Sequence, residues 1–289
     1  MELQQIFDHY RLYLSRMSRP VTRYDYDKRL MRLENWLIAN NITTVEDIDF
    51  AKYLDWLYID RGVSPRTYNN FRTWCQSFSK WMLRQRYIDH NPIENIAPLK
   101  EPQKTRQPLP TSVLGQIKAY LEPRNKHFLL AVMMEYYCFI RPGELSQIRI
   151  GDIDTKAHSV YIGADISKNG KAEVVGLNRS IVALMRELHV LRHPKEWYLF
   201  SNRCRPGKTR LEPRMFRDRW ARMRKRLGLP KEYQFYSLKD SGIRDLANAE
   251  GIVIARDQAR HSSVAVTNKY LQGRDHPVHA ETIRFKGAL

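Results

Sequence analysis

The stretch GIVIARDQARHSSVAVTNKY, residues 251–270, holds His-Ser-Ser at its middle and closes on a tyrosine nine positions after the histidine. Taken by itself it reads plainly, with His261 as a helix-start histidine making a structural hydrogen bond and Tyr270 as a half-buried aromatic. That reading weakens once the stretch is set beside the basic residues that precede it, Arg141, Lys168, Lys239 and Arg244 among them.

The chain of 289 residues is 43% hydrophobic, enough for one large core or two smaller ones, so two domains are expected. Its 49 Lys and Arg against 31 Asp and Glu leave a net charge of +18. Such a surface favours a polyanionic partner, nucleic acid first, because phosphate binding releases counterions. High charge also serves solubility alone, but here the distribution is uneven, with +3 on residues 1–100 and +15 on residues 101–289. Residues 203–226 hold 11 basic side chains against Glu212 and Asp218, a density that repels itself unless a polyanion lies nearby. Arg214, Arg217, Arg222, Arg224 and Lys225 are the candidate DNA contacts there.

Cys75, Cys138 and Cys204 lie far apart, without the spacing of a disulfide framework or a zinc site, and fit a reducing cytoplasm. No apolar run reaches the roughly 18 residues of a membrane span, and the start MELQQIFDHY lacks the order of a signal peptide. A soluble cytoplasmic protein with no membrane partner, cofactor or metal is the expectation.

Helical spacing of apolar residues marks Val21–Asn40, Phe50–Tyr58 and Tyr68–Leu83 as helices, so the first hundred residues read as a helical bundle. Phe71, Trp74, Phe78 and Trp81 form one stripe, which reads as core. Between Pro98 and Pro110, PLKEPQKTRQPLP has four prolines and no periodicity, the composition of an extended linker. Residues 101–110 are therefore assigned as linker between a domain at 1–100 and a second at 111–289. In the second, Thr111 is placed as the cap of a helix through Tyr120, and His127–Ile140 as a buried helix that delivers Arg141. Strands are expected at Val160–Ile162 and Ala172–Val175, with SKNG as the turn between them, and a further one at Tyr198–Phe200. Glu212–Leu227 reads as a helix stopped by Gly228 and Pro230.

Cutting a phosphodiester without a metal needs a side-chain nucleophile, cationic donors for the non-bridging oxygens and an acid for the departing oxygen. Arg141, Lys168, Tyr236 with Lys239, His261 and Tyr270 supply these in an order that resembles the catalytic domain of the tyrosine recombinases. That family includes phage integrases and chromosome-dimer resolvases. The opening stretch resembles the family's GHSS…T…Y motif. YYCFIRPGELSQIRIGDID resembles the segment in which a helix ends at an arginine followed by a glutamate, placing Arg141 and Glu144 in those roles. ADISKNGKAEVVGL resembles the hairpin whose tip lysine protonates the leaving 5′ oxygen, and favours Lys168 over Lys171. RTYNNFRTWCQSFSKWMLRQRYIDHNPIENI resembles part of the family's helical core-binding domain.

Two departures stand out. The family pattern expects a histidine and, three positions on, a second arginine, but FYSLKDSGIRDLAN offers Tyr236 and Lys239, which keeps the charge and loses the guanidinium fork. Arg244 is the other candidate for the second cation, five positions beyond Lys239 and so about 140° around a helix from it. Arg260 stands where the family usually has glycine, and is a candidate DNA contact or a change in the turn.

The resemblance implies a mainly α fold with a small antiparallel β-sheet, a helical core DNA-binding domain and a catalytic domain. It implies Tyr270 as nucleophile, Arg141 as phosphate clamp and His261 as a donor to the phosphate. Recombination through a 3′-phosphotyrosyl intermediate on double-stranded DNA would require a homo-tetramer on synapsed sites, compatible with a monomer in solution. The tail LQGRDHPVHAETIRFKGAL is expected to form a terminal helix that docks on a neighbour or folds back. Two rivals stay open: a non-catalytic sequence-specific DNA-binding protein on the same fold, and a topoisomerase IB-like strand transferase.

Overall fold

In the computed structural model, residues 2–102 and 108–271 are described, and the chain divides into two compact units near Lys104. The expected terminal helix after the nucleophile candidate falls on residues 272–289, outside the described residues, as do positions 103–107 of the expected linker.

The first unit is built from α1 (Leu3–Met17), α2 (Pro20–Ala39), α3 (Phe50–Ile59) and α4 (Pro65–Arg84). Their starts follow from local chemistry. Pro20 and Pro65 occupy first-turn positions where a missing N–H costs nothing, Asp49 accepts from the Lys52 amide, and Ser64 accepts from the Thr67 amide. The aromatic stripe of α4 is core, as the spacing predicts: Phe71, Trp74, Phe78 and Trp81 are buried, and Tyr10 of α1 packs on Phe78 and Trp81 with ring centroids 4.7 and 4.9 Å away. α1 has no counterpart among the helices expected one by one.

The second unit contains α5 (Thr111–Leu121), α6 (Lys126–Cys138), the single turn α7 (Pro142–Leu145), β1 (Ile153–Asp154), β2 (Ser159–Ile162), β3 (Glu173–Gly176), α8 (Arg179–Glu187), α9 (Pro213–Arg226), α10 (Ser237–Glu250), α11 (Ile252–Ala259) and α12 (Val264–Leu271). The three strands form an antiparallel sheet in sequence order, with Val160 opposite Val175 on its buried face. The fold is thus mainly helical with one small antiparallel sheet.

Four local expectations change. Thr111 lies inside α5, which starts after Pro110 without a side-chain cap. SKNG does form a turn, with the Gly170 amide donating to the Ser167 carbonyl at 3.1 Å, but within a longer loop joining β2 to β3. Tyr198–Phe200 is not a strand, since Tyr198 makes only isolated bridges to Arg149 and Gly207. Leu109, read as linker, is fully buried, and its amide donates to Ser241 Oγ of α10 at 2.7 Å, so the second unit's core claims it.

Two contacts fix the helices that carry the basic and aromatic residues singled out above. Gly242 lets α10 lie directly on α6, because a Cβ there would stand 1.8 Å from the Tyr136 carbonyl oxygen. Gln258 pins α11 to the edge of β3. Its Oε1 accepts from the Gly176 amide at 3.1 Å, and its Nε2 donates to the Gly176 and Tyr137 carbonyls at 2.8 and 3.1 Å.

Candidate active site

α6 is apolar enough to be buried on most of its surface, and it stops at Phe139, which is buried and left-handed at φ +56. The chain then turns so that Arg141 precedes α7 and Glu144 folds back on it. The Arg141 amide donates to Glu144 Oε2 at 3.2 Å, and Arg141 Nη1 donates to Oε1 at 3.0 Å. The bland reading of Arg141, an ion pair closing a helix turn, is therefore physically present. It is only part of the arrangement, because Glu144 also accepts from the Lys168 amide at 3.1 Å and from Arg260 Nη2. Burial pushes the Glu144 carboxyl up, but Arg260, the Lys168 amide and Arg141 outweigh it and hold the group below its ordinary range.

The lysine loop is tied to this carboxylate by its backbone, leaving the Lys168 side chain exposed, as is that of Lys171. The anchor falls on Lys168 and not on Lys171.

α11 ends at Arg260, whose φ of +56 and ψ of +44 are left-handed. This is the conformation glycine adopts without strain. The Arg260 side chain does not reach for solvent, contrary to the expected DNA contact. It is 2% exposed, paired with Glu144, and its Nη1 lies 3.6 Å from Glu173 Oε2. The turn delivers His261, whose Nδ1 lies 2.9 Å from Thr267 Oγ1 and whose ring stacks on Tyr270 with centroids 5.2 Å apart. The nine-residue spacing becomes a short turn followed by about two turns of α12, which bring Tyr270 back onto the His261 ring.

α10 brings in the departing pair. Burial first, then its interaction with Tyr270, pushes the Tyr236 phenol above its ordinary value. Lys239 is fully buried, with Nζ donating to the Phe139 carbonyl at 2.7 Å. Burial, reinforced by Arg141 and opposed by Glu135, lowers its pKa to about 7. Arg244 is bonded instead to Asp245 at 2.7 Å and to the Leu109 carbonyl, so of the two candidates it is Lys239 that joins Arg141 and Glu144.

Sequence reasoning did not single out Glu135, Glu173 or Thr267. Glu135 lies within the buried helix, fully buried with neither carboxylate oxygen hydrogen-bonded, and burial holds its pKa well above the ordinary value. In an apolar run it gave only the signal of one acidic residue out of place. Thr267 stands in the threonine place of the motif, which was the available clue.

Among the expected DNA contacts of α9, Arg214, Arg217, Arg222 and Lys225 are exposed. Arg224 is not available in the same way, because its Nη1 donates to the Lys231 and Tyr233 carbonyls at 2.6 and 3.2 Å and closes the end of the helix.

The site thus holds Arg141, Arg260 and the Lys168 amide on the buried Glu144 carboxylate, with Lys239 buried near it, and stacks His261 on a tyrosine that interacts with Tyr236, a set that suits an attacking phenol and the charge of a phosphate. Residues 107–276 match the model of the Phage integrase family. The chain belongs to that family. Phage integrases of this kind are tyrosine recombinases, DNA strand transferases that carry out site-specific recombination, and the chain is one of them. Among similar integrase-family proteins is the tyrosine recombinase XerC of Chromohalobacter salexigens, 22% identical over 271 residues, covering 89% of this chain and 87% of that one. The putative defective protein IntQ of Escherichia coli is 28% identical over 134 residues, 45% of this chain and 33% of IntQ. The integrase fold is shared with a lambda integrase dimer bound to a COC' core site, at a TM-score of 0.78 and 19% identity over 96% of this chain and 79% of that one. It is shared also with the Tn1549 transposon integrase in complex with a circular intermediate DNA, at a TM-score of 0.72 and 13% identity over 94% of this chain and 96% of the other.

Proposed function

We propose that Tyr270 is the nucleophile of this recombinase on double-stranded DNA. The Tyr270 oxygen bonds to the scissile phosphorus as the bond from phosphorus to the 5′ oxygen breaks, leaving a 3′-phosphotyrosyl link. Tyr236 donates to the Tyr270 oxygen and stabilises it as its proton passes to water. Arg141 and His261 donate to the non-bridging oxygens. Lys168, on an exposed loop anchored beside Glu144, gives its proton to the departing 5′ oxygen. Attack by the 5′ hydroxyl of a partner strand reverses the chemistry and restores the phosphodiester. The single observation that carries this reading is the stacking of His261 on Tyr270 directly after Arg260, whose guanidinium pairs with the Glu144 carboxylate that also holds Arg141.

Residues 1–100 serve as the core DNA-binding module, residues 101–110 as the connection and residues 111–289 as the catalytic module. Exposed Arg214, Arg217, Arg222 and Lys225 contact phosphates. Lys239 supplies charge from inside the site while it is protonated, below about pH 7. Two paired sites are held by four copies of the chain, in the cytoplasm.

A duplex nicked near the scissile phosphate traps the covalent product, because the short 5′ fragment diffuses away. With duplexes drawn from sequence flanking the gene, wild-type protein is expected to give an adduct on a denaturing gel, and Arg141→Ala and Lys168→Ala to slow it about 100-fold or more. Tight, sequence-dependent binding with no adduct supports the non-catalytic rival. Sequence-independent relaxation of supercoils supports the topoisomerase-like one.

A further inference from the structure

We infer that Arg260 is a positioning residue for strand cleavage, whose buried guanidinium holds Glu144 and thereby fixes Arg141 and the Lys168 loop as one unit. The inference rests on the recombinase reading above.

Three separate segments meet on the Glu144 carboxylate. The end of α6 contributes the Arg141 amide and Nη1, the loop between β2 and β3 contributes the Lys168 amide, and the end of α11 contributes Arg260 Nη2. Local structure does not account for Arg260. Its backbone is in the left-handed region at φ +56, where glycine would be unstrained. Its Nε and Nη1 are buried without a hydrogen-bond partner. A buried arginine kept for stability alone should have its donors satisfied. This one accepts a strained backbone and two unmet donors, and its closest partners are Glu144 and, at a looser 3.6 Å, Glu173.

Charge balance says what the pairing does. Glu144 is 3% exposed at its side chain, so its negative charge is screened only by its neighbours. With Arg141 as its one cationic partner, the carboxylate would draw on most of that guanidinium's charge. Arg260 supplies a second, permanently charged partner from the protein interior. Arg141 then keeps more of its positive charge for an incoming phosphate, and the loop carrying Lys168 stays joined to the same carboxylate. Lys239, with its amine committed to the Phe139 carbonyl, cannot provide this from its own side.

The test measures the rate of adduct formation on the nicked duplex. Arg260→Met, which keeps length and removes charge, is expected to slow cleavage about 10- to 100-fold through misplacement of Arg141 and Lys168. Duplex affinity by gel shift should stay within about 2-fold, and Arg260→Lys should recover part of the rate. In a Glu144→Gln background the same Arg260→Met change is expected to cost less than about 3-fold, because the charge it holds is already gone. A wild-type rate in Arg260→Met, or an equal loss in both backgrounds, overturns the inference and leaves Arg260 a structural residue. If the methionine variant fails to fold, Arg260→Lys compared in the two backgrounds decides the same question by the same criterion. An adduct with wild type and an unchanged Arg260 variant sinks this inference alone, whereas no adduct with wild type sinks the recombinase reading and the inference with it.

Discussion

Lys239 is where a single residue is most at odds with its surroundings. Its amine sits fully buried on the Phe139 carbonyl beside Arg141, and releases its proton near pH 7 in place of the ordinary 10.5. The unfolded chain keeps that proton up to 10.5. Between about 7 and 10.5 the unfolded state therefore binds more protons, and the Lys239 contribution to stability rises with pH. Below about 7 both states are charged, and the full cost of the buried cation applies. Lys239→Met removes the cost, so its stability relative to wild type should be highest at about pH 6 and decline steadily toward about pH 10, read from urea unfolding at several pH values. A difference that does not change with pH would show that the amine is not titrating there. Its burial and its titration were not legible in the sequence, where Lys239 read only as a replacement for the second arginine of the motif. The motif pattern did mark positions 236, 239 and 260 as departures, but it could not say which way the side chains point. Direction depends on α6 and α11, which pack on α10 only in the folded chain.

At the scale of elements, the close approach of α10 to α6 places both Tyr236 and Lys239, and it depends on the missing side chain of Gly242. A methyl group would meet the Tyr136 carbonyl oxygen at 1.8 Å and the Phe139 ring at 2.7 Å, so the helices would have to separate. Gly242→Ala is expected to destabilise the protein by about 2–3 kcal/mol or more and to cut cleavage by more than it cuts DNA binding. Unchanged thermal unfolding would contradict this packing. The helices themselves were readable because an amphipathic stripe repeats at the helical period, as in α4 and α9. The Tyr198 segment was not, since a short apolar run looks the same whether it pairs over several residues or at one bridge. The linker was read too broadly at its end, because composition cannot show that Leu109 is buried.

For the molecule as a whole, the charge excess lies in the second unit, and the exposed cations of α9 are its densest part. Removing one phosphate-neutralising side chain should lower the slope of log affinity against log salt by about 0.9. Arg217→Ala and Arg222→Ala are each expected to show that reduction in a filter-binding salt titration, while Arg224→Ala leaves the slope alone and lowers stability, since its guanidinium is spent on backbone carbonyls. An equal slope change for all three would mean that Arg224 leaves its carbonyls when DNA binds. Family membership was the most legible property of all, carried by scattered motifs whose spacing survives low identity. What those motifs could not reveal is that the site presents two tyrosines in contact.

That pairing makes one measurement decisive, because Tyr236 and Tyr270 interact and each carries a phenol that could attack. The adduct formed on a nicked duplex would be digested with nuclease and protease, and the tyrosine bearing the residual nucleotide identified by mass spectrometry. The nucleotide is predicted on the peptide containing Tyr270, with Tyr270→Phe abolishing it and Tyr236→Phe only slowing it. A nucleotide on Tyr236, or an adduct that persists in Tyr270→Phe, would contradict the assignment of the nucleophile.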